Sequence, residues 1–437
     1  MAECSEAVEE QAVRDASAAY SVEAGAVTVE DVPPGYKRTE VGVIPEDWIC
    51  TQLGDAIELL TGFPFSSSRF SEAGTLLVRG SNVKRGQLDW SEEITKFWEE
   101  ITPELLPYQL EEGDLVIAMD GALVGRSFAV ISEADLPALL VQRVARIRST
   151  KLNQWYIVHW VASEYFHEYV DSVKTHTAIP HISPTDIRGF LISAPGRKEE
   201  QRAIATALSD ADALIDSLDR LIAKKRAIKK AATQQLLTGQ TRLPGFTGEW
   251  ETKRLGEVAH IKTGSRNNED KVQDGPYPFF VRSELIERID TYSHDCEAIL
   301  VPGEGRIGEI FHYIQGRFDV HQRVYAITRF TSDVSGQFIY FYMAMYFGSW
   351  AMQNTVKATV DSLRLPTFQN FLMVIPPTIA EQTAIATVLS DMDSEIEALN
   401  HRRYKARQLK QGMMQQLLTG RVRLVEPEVE NVREASA

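Results

Sequence analysis

Apolar residues recur at Ile204, Leu208, Ala211, Ile215, Leu218 and Ile222, a spacing that alternates four and three. That rhythm keeps one stripe of a helix apolar and marks a coiled-coil seam. The same stripe returns at Ile385, Leu389, Met392, Ile396 and Leu399. No Pro or Gly interrupts residues 199–238, and Gly239 and Gly420 stand where a left-handed residue would close each helix. The pattern predicts two helices of about 40 residues, roughly 60 Å each. A lone stripe must be covered, and the simplest cover is the other copy, so an antiparallel pair is expected.

The two helices belong to an internal repeat. Residues 200–243 align without a gap to residues 381–424, with 23 of 44 positions identical. A weaker echo pairs Trp48, Leu53, Gly54 and Gly62 with Trp250, Leu255, Gly256 and Gly264. The unit is a globular segment followed by a helix, occurring twice, and the first globular segment is longer by 21 residues. TLLVRGSNV, GDLVIAMDGALVG and VQRVARIR in the first segment, and YPFFVRSEL, AILVPGEGRIGEIFHYI and HQRVYAITRF in the second, are Val-, Ile- and Phe-rich runs bounded by Gly, Pro and Asp, as strands are. Each segment finishes with an aromatic helix, Trp155 to Tyr169 or Phe338 to Met352, expected to pack on its sheet. The expected class is α/β (α+β), with two strand-rich lobes, two long antiparallel coiled-coil helices and an internal pseudo-two-fold repeat. Expected boundaries are an acidic flexible extension (1–35), first lobe (36–196), spacer helix (197–243), second lobe (244–377), second spacer helix (378–424) and an acidic tail (425–437).

Composition narrows the classes. The chain has 437 residues, 44% hydrophobic and 24% charged, the range of globular proteins of two or three domains. Its longest nearly uncharged run, Phe338 to Met352, is shorter than the ~20 residues a bilayer requires. An acidic N-terminus is unlike a secretory signal, so a cytoplasmic location is expected. Cys4, Cys50 and Cys296 show no C-x-x-C spacing, which argues against a disulfide framework or zinc site. The net charge of −15 counts against DNA binding, but residues 1–32 carry −7 and residues 425–437 carry −3, so the body is only mildly acidic.

Motifs for cofactor chemistry are missing. Gly303 to Gly308 spells G-x-G-x-x-G, but residues 309–314 alternate like a strand where a dinucleotide site needs a helix start, so a hairpin turn is expected. There is no P-loop, no [Asn/Asp]-Pro-Pro-aromatic motif and no paired His, and His176 and His181 read as loop residues. No cofactor, metal or catalytic residue is expected in this chain. What recurs in both lobes is a set of polar and basic loop residues of the kind that pair with base edges and phosphates. In the first lobe the candidates for DNA contact are Ser67, Ser68, Arg69, Arg79, Ser81, Asn82, Lys84, Arg85, Lys174 and His176. In the second they are Arg266, Asn267, Asn268, Lys271, Arg282, Ser283, Arg306 and Lys357. Gln142-Arg143 and Gln322-Arg323 sit in a repeated Q-R-V run and are read as strand residues that shape the lobe.

From YKRTEVGVIPEDW at Tyr36 through LGDA, GDLVIAMDGALVG, QRVARIR, IPHIS, EQRAIA and QQLLTG, and then through the second copy, the chain resembles the specificity subunits of type I restriction-modification systems. The resemblance implies that each lobe is a target recognition domain reading half of a split DNA site. It also implies that the helices form a spacer docking two methyltransferase subunits, through a seam that includes Ile204, Leu208, Ile215, Leu218, Ile385, Leu389, Ile396 and Leu399. Restriction/translocase subunits would join the complex. S-adenosylmethionine, ATP and Mg would belong to the partners, and this chain would be non-catalytic. One added helical turn, ~5.4 Å, would lengthen the spacer by one to two base pairs of ~3.4 Å. A competing expectation is a non-DNA scaffold joining two partners; a split-site hydrolase would need convergent carboxylates or His residues, which neither repeat supplies.

Overall fold

The computed structural model describes residues 32–353 and 362–425. The described chain divides into two compact units, one running to Ile215 and resuming at Lys405, the other Asp216–Tyr404.

In the first unit β1 (Tyr36–Thr39), β2 (Gly42–Pro45), β3 (Trp48–Gln52), β4 (Ile57–Thr61), β5 (Thr75–Val78) and β6 (Phe97–Trp98) are followed by β7 (Leu115–Ala118), β8 (Phe128–Val130), β9 (Ala138–Leu140) and β10 (Val144–Ser149). Helices α1 (Gln154–Val161), α2 (Glu164–Val173) and α3 (Pro184–Gly189), strand β11 (Leu191–Pro195) and the long helix α4 (Lys198–Leu237) complete this half of the repeat. The sheets are β1-β2, β4-β10-β7-β8, β6-β5-β9 and β11-β3. The expected aromatic helix is in fact two. Asn153 caps α1 at the Tyr156 amide, and Ser163 interrupts the run and caps α2 at the Phe166 amide.

The second unit holds β12 (Glu251–Arg254), α5 (Leu255–Val258), β13 (His260–Thr263), β14 (Tyr277–Phe280), β15 (Glu287–Ile289), β16 (His294–Pro302), β17 (His312–Val320) and β18 (Val324–Thr328). Then come α6 (Gly336–Gln353), α7 (Leu365–Gln369), β19 (Leu372–Ile375) and the long α8 (Ile379–Leu417). Its main sheet runs β13-β18-β16-β17-β14-β15. Here β17 pairs antiparallel with β16 and parallel with β14. The first lobe divides those two jobs, β8 lying antiparallel to β7 and β9 parallel to β5. Gly303–Gly308 lies in the loop between β16 and β17, with no helix starting there, and the strand expected from Glu309 begins only at His312.

Aromatic residues fill both cores. Trp48, Tyr156, Trp160 and Phe166 are buried in the first unit, Phe338, Phe347 and Phe368 in the second. The first core also takes Ile204 and Leu208 of α4 and Met414, Leu417 and Leu418 at the far end of α8; the second takes Ile385 and Leu389 with Leu236 and Leu237. Each unit thus encloses the start of one long helix and the end of the other. The two run antiparallel in both, as Lys410–Asp212 at 2.5 Å in the first unit and Arg403–Asp219 at 2.8 Å and Lys225–Glu395 at 2.6 Å in the second require. Ile215, Leu218, Ile222 and Ile396 are buried as well, while Leu399 is half-buried.

The repeated Glu-Gln and Thr-Gly-x-x-Arg positions clasp these ends. Glu200, 1% exposed at its side chain, accepts Arg423 Nη2 at 2.7 Å, and Asp47 accepts the same guanidinium at 2.9 and 3.0 Å. Glu381, also 1% exposed, accepts Arg242 at 2.8 and 2.5 Å. The adjacent Gln201 donates to Pro195 O at 2.8 Å, and Gln382 donates to Pro376 O at 2.9 Å, tying each helix start to its lobe. Gly239 and Gly420 take φ of +70° and lie against Trp250 and Trp48.

Gly62 and Gly264 let the loop after β4 or β13 touch backbone. An added Cβ would lie 2.2 Å from Val141 O in the first lobe and 1.9 Å from Val320 O in the second. Gly62→Ala and Gly264→Ala should each cost about 1–3 kcal/mol of stability, read as a lowered urea midpoint. Gly412→Ala, where a Cβ meets nothing within 4 Å on α8, should be neutral or stabilising by up to about 1 kcal/mol. Equal effects at Gly264 and Gly412 would overturn this account.

Candidate nucleic-acid interface

Loops that follow strands in each lobe carry most of the basic candidates. In the second lobe Gly264 swings the chain into Arg266–Lys271, and the loop after β14 carries Arg282 and Ser283. The β16–β17 loop brings Arg306 to Glu284 at 2.8 Å and Glu309 at 2.7 Å. Glu304 of the same loop accepts Arg323 at 2.9 Å and Arg282 at 3.5 Å. Arg282, Arg306 and Arg323 are about half exposed at their side chains, so three guanidinium groups face solvent, each paired with a carboxylate. His321 beside it is held below the usual imidazole range, first by burial and then by Arg282 and Arg323.

Several other second-lobe candidates have partners within the lobe. Arg266 donates to Asp319, fully buried, at 3.2 Å and to Thr291 at 3.0 Å, so it satisfies an internal carboxylate. Asn267 opens the turn Asn268–Asp270 and accepts Gln322 Nε2. Asn268 is exposed, Lys271 pairs with Glu287 at 3.1 Å and Ser283 Oγ donates to Leu285 O at 3.0 Å. Lys357 lies outside the described residues.

In the first lobe Ser67, Ser68 and Arg69 form an exposed 3-10 turn, with the Arg69 guanidinium 4.7 Å from the Trp98 ring centre. Arg79 and Asn82 are corrections to the expected contacts. Arg79 donates to Ile94 O and is partly buried, which lowers its pKa. Asn82, fully buried, closes a turn by accepting the Arg79 amide at 3.2 Å and donating to Asp89 O at 3.0 Å. Ser81 and Lys84 remain exposed, Lys84 lying 3.8 Å from Asp89; Arg85 is exposed and its backbone bridges to Phe128. Lys174 pairs with Asp171 at 2.5 Å, and Arg126 joins them at 2.7 Å, so the Asp171 carboxyl falls to about 2, chiefly through Arg126. His176 stands exposed on the loop beyond.

Gln142-Arg143 and Gln322-Arg323 are not strand residues. Both pairs form the turn that precedes β10 or β18, with Arg143 at φ +67°. The seam residues expected to meet partners are also reassigned. Ile204, Leu208, Ile215, Leu218, Ile385 and Leu389 are buried within the chain, so their side chains stabilise its own fold. Among the described residues no group of three His, Cys, Asp or Glu is placed to hold a metal, and no helix is long and apolar enough to cross a membrane.

The sequence pattern described as "Type I restriction modification DNA specificity domain" matches residues 45–225 and again 247–406. The chain belongs to this family. The type I restriction enzyme MjaVIII specificity subunit of Methanocaldococcus jannaschii is 29% identical over 212 residues, 48% of this chain and 49% of that one. The EcoAI specificity subunit of Escherichia coli is 29% identical over 209 residues, 47% of this chain and 34% of that one. These two matches therefore span half or less of each relative. A proposed MjaX specificity subunit of Methanocaldococcus jannaschii aligns at 24% identity over 435 residues, 89% of this chain and 97% of that one. In three dimensions the fold resembles the crystal structure of a type I restriction-modification S subunit from M. genitalium, at TM-score 0.63 and 14% identity, covering 85% of this chain and 96% of that one.

Proposed function

We propose that each lobe reads one half of a bipartite, asymmetric site on double-stranded DNA, and that the long helices carry two methyltransferase subunits, with restriction/translocase subunits completing the complex. The supporting observation is that two lobes of one plan present loops at matching places with different residues, Ser67–Arg69 after Gly62 against Arg266–Lys271 after Gly264. One scaffold with two unlike reading surfaces suits two unlike half-sites. The chain does no chemistry itself in this reading; S-adenosylmethionine, ATP and Mg act in the partners. Exposed Leu221 and Ile228, a heptad apart on α4, are apolar positions open to a helix partner.

Much of the phosphate neutralisation then falls to the partners, because the chain carries net −15. Alone, it is expected to bind DNA weakly, with affinity falling steeply as salt rises. The direct test is genome-wide N6-methyladenine mapping in cells making a type I methyltransferase subunit that co-purifies with this chain, with and without the chain. A split motif methylated only when the chain is present supports the reading. A stable complex with no chain-dependent motif overturns it in favour of a scaffold.

A further inference from the structure

The geometry points to Arg143 and Arg323 as base-reading residues, one in each lobe, each taking the O6/N7 edge of a guanine while a carboxylate fixes its plane. This rests on the DNA-reading role proposed above. The two sites match in detail. Arg143 donates through Nη1 to Asp120 at 2.9 Å, and Arg323 through Nη1 to Glu304 at 2.9 Å. Their side chains are 69% and 57% exposed, whereas the carboxylates are 22% and 23% exposed. Each acid follows the central strand β7 or β16 and precedes a glycine of positive φ, Gly121 at +105° and Gly305 at +90°. Each is also pinned by a backbone bridge, Asp120 to His181 and Glu304 to Ser362.

Stability does not account for this arrangement. A pair exposed to this degree contributes about 0–1 kcal/mol, and a turn with φ of +67° would be easier to build with Gly or Asn than with Arg143. Placement does. Gly80 beside Arg79 lies against Asp120, and Arg282 shares Glu304, so both arginines stand among the loops that carry the other candidates.

Chemistry selects the ligand. An adjacent carboxylate cancels much of the guanidinium charge, which makes the pair a poor phosphate anchor. It leaves Nε and Nη2 without a partner among the described residues, on a plane already fixed, so less rotamer freedom is lost on binding. Two parallel N–H donors in a fixed plane match guanine O6 and N7 in the major groove.

The test uses the assembled methyltransferase and methylation mapping of a randomised-site library, with the unaltered chain as reference. Arg143→Ala is expected to relax one G·C position in one half-site by about ten- to a hundredfold in discrimination, leaving the other half intact, and Arg323→Ala to do the converse. Arg143→Lys keeps the charge but not the two-donor edge and should relax the same position. Asp120→Asn and Glu304→Gln should weaken it without shifting it. An unchanged motif in both arginine variants overturns the proposal, as does a uniform loss across all sites that lysine restores, which would mark a phosphate contact. If the unaltered chain specifies no motif, the broader reading fails instead, and the two failures are told apart by that reference.

Discussion

Arg423→Ala is expected to destabilise the first unit by about 3–5 kcal/mol, because it strands a carboxylate that the fold has already removed from water. Glu200 is 1% exposed and its partner is the Arg423 guanidinium, which also binds the half-exposed Asp47 and stands 5.8 Å from the Trp48 ring centre. Both carboxylates hold the guanidinium above its usual pKa, Glu200 foremost. Arg242→Ala should do the same to Glu381 in the second unit. Removing charge from both sides, as Glu200→Gln with Arg423→Met, should recover much of the loss, since a charge-free pair carries no stranded ion. Urea denaturation followed by circular dichroism measures all of these. A loss below 1 kcal/mol in Arg423→Ala would falsify the clasp.

The second large effect is in pH. His159 is 2% exposed; burial, then Lys410, lowers its pKa to about 4, and the Ala205 carbonyl offsets this only in part. Its Nε2 lies 3.2 Å from Ala205 O and 3.1 Å from Ser209 Oγ, and Asp212 stands 4.0 Å from Nδ1. The folded value lies below the unfolded 6.5, so folding favours the neutral ring. Its contribution is complete above pH 6.5 and is lost as pH falls from 6.5 towards 4, by roughly 3 kcal/mol in all. Other carboxylates titrate in that window, so the informative quantity is the difference between the parent and His159→Phe in urea midpoint against pH. The parent should lose more stability than the variant between pH 7 and 4.5. Parallel curves would show that His159 charges freely in the fold.

Periodicity and repetition revealed the long helices, because an alternating four-three stripe over that length has few other meanings. Gly239 and Gly420 were equally legible. The clasps were visible as identities, Glu200 with Glu381 and Arg242 with Arg423, but not as pairs, since each bond joins residues 223 or 139 positions apart. Antiparallel packing of the repeat would have supplied that pairing. The candidate loops were harder. Composition could not separate Asn82, which is buried and closes its own turn, from Ser81, which is exposed. Nor could it show that Arg266 answers the buried Asp319. Arg143 was hidden for a different reason: the V-A-R-I alternation after it reads as strand, and the turn before it depends on a left-handed residue that the sequence does not advertise.

The division of the fold sets an order of events during synthesis. The second unit is one unbroken stretch, Asp216–Tyr404, whereas the first needs Lys405 onward to cover Ile204 and Leu208 and to bring Arg423 to Glu200. On the ribosome the first lobe therefore emerges first and is completed last. At roughly 5–20 residues per second it waits on the order of 10–40 s with that part of its core uncovered. A released chain truncated before Lys405 should present a protected second lobe and a protease-sensitive first one.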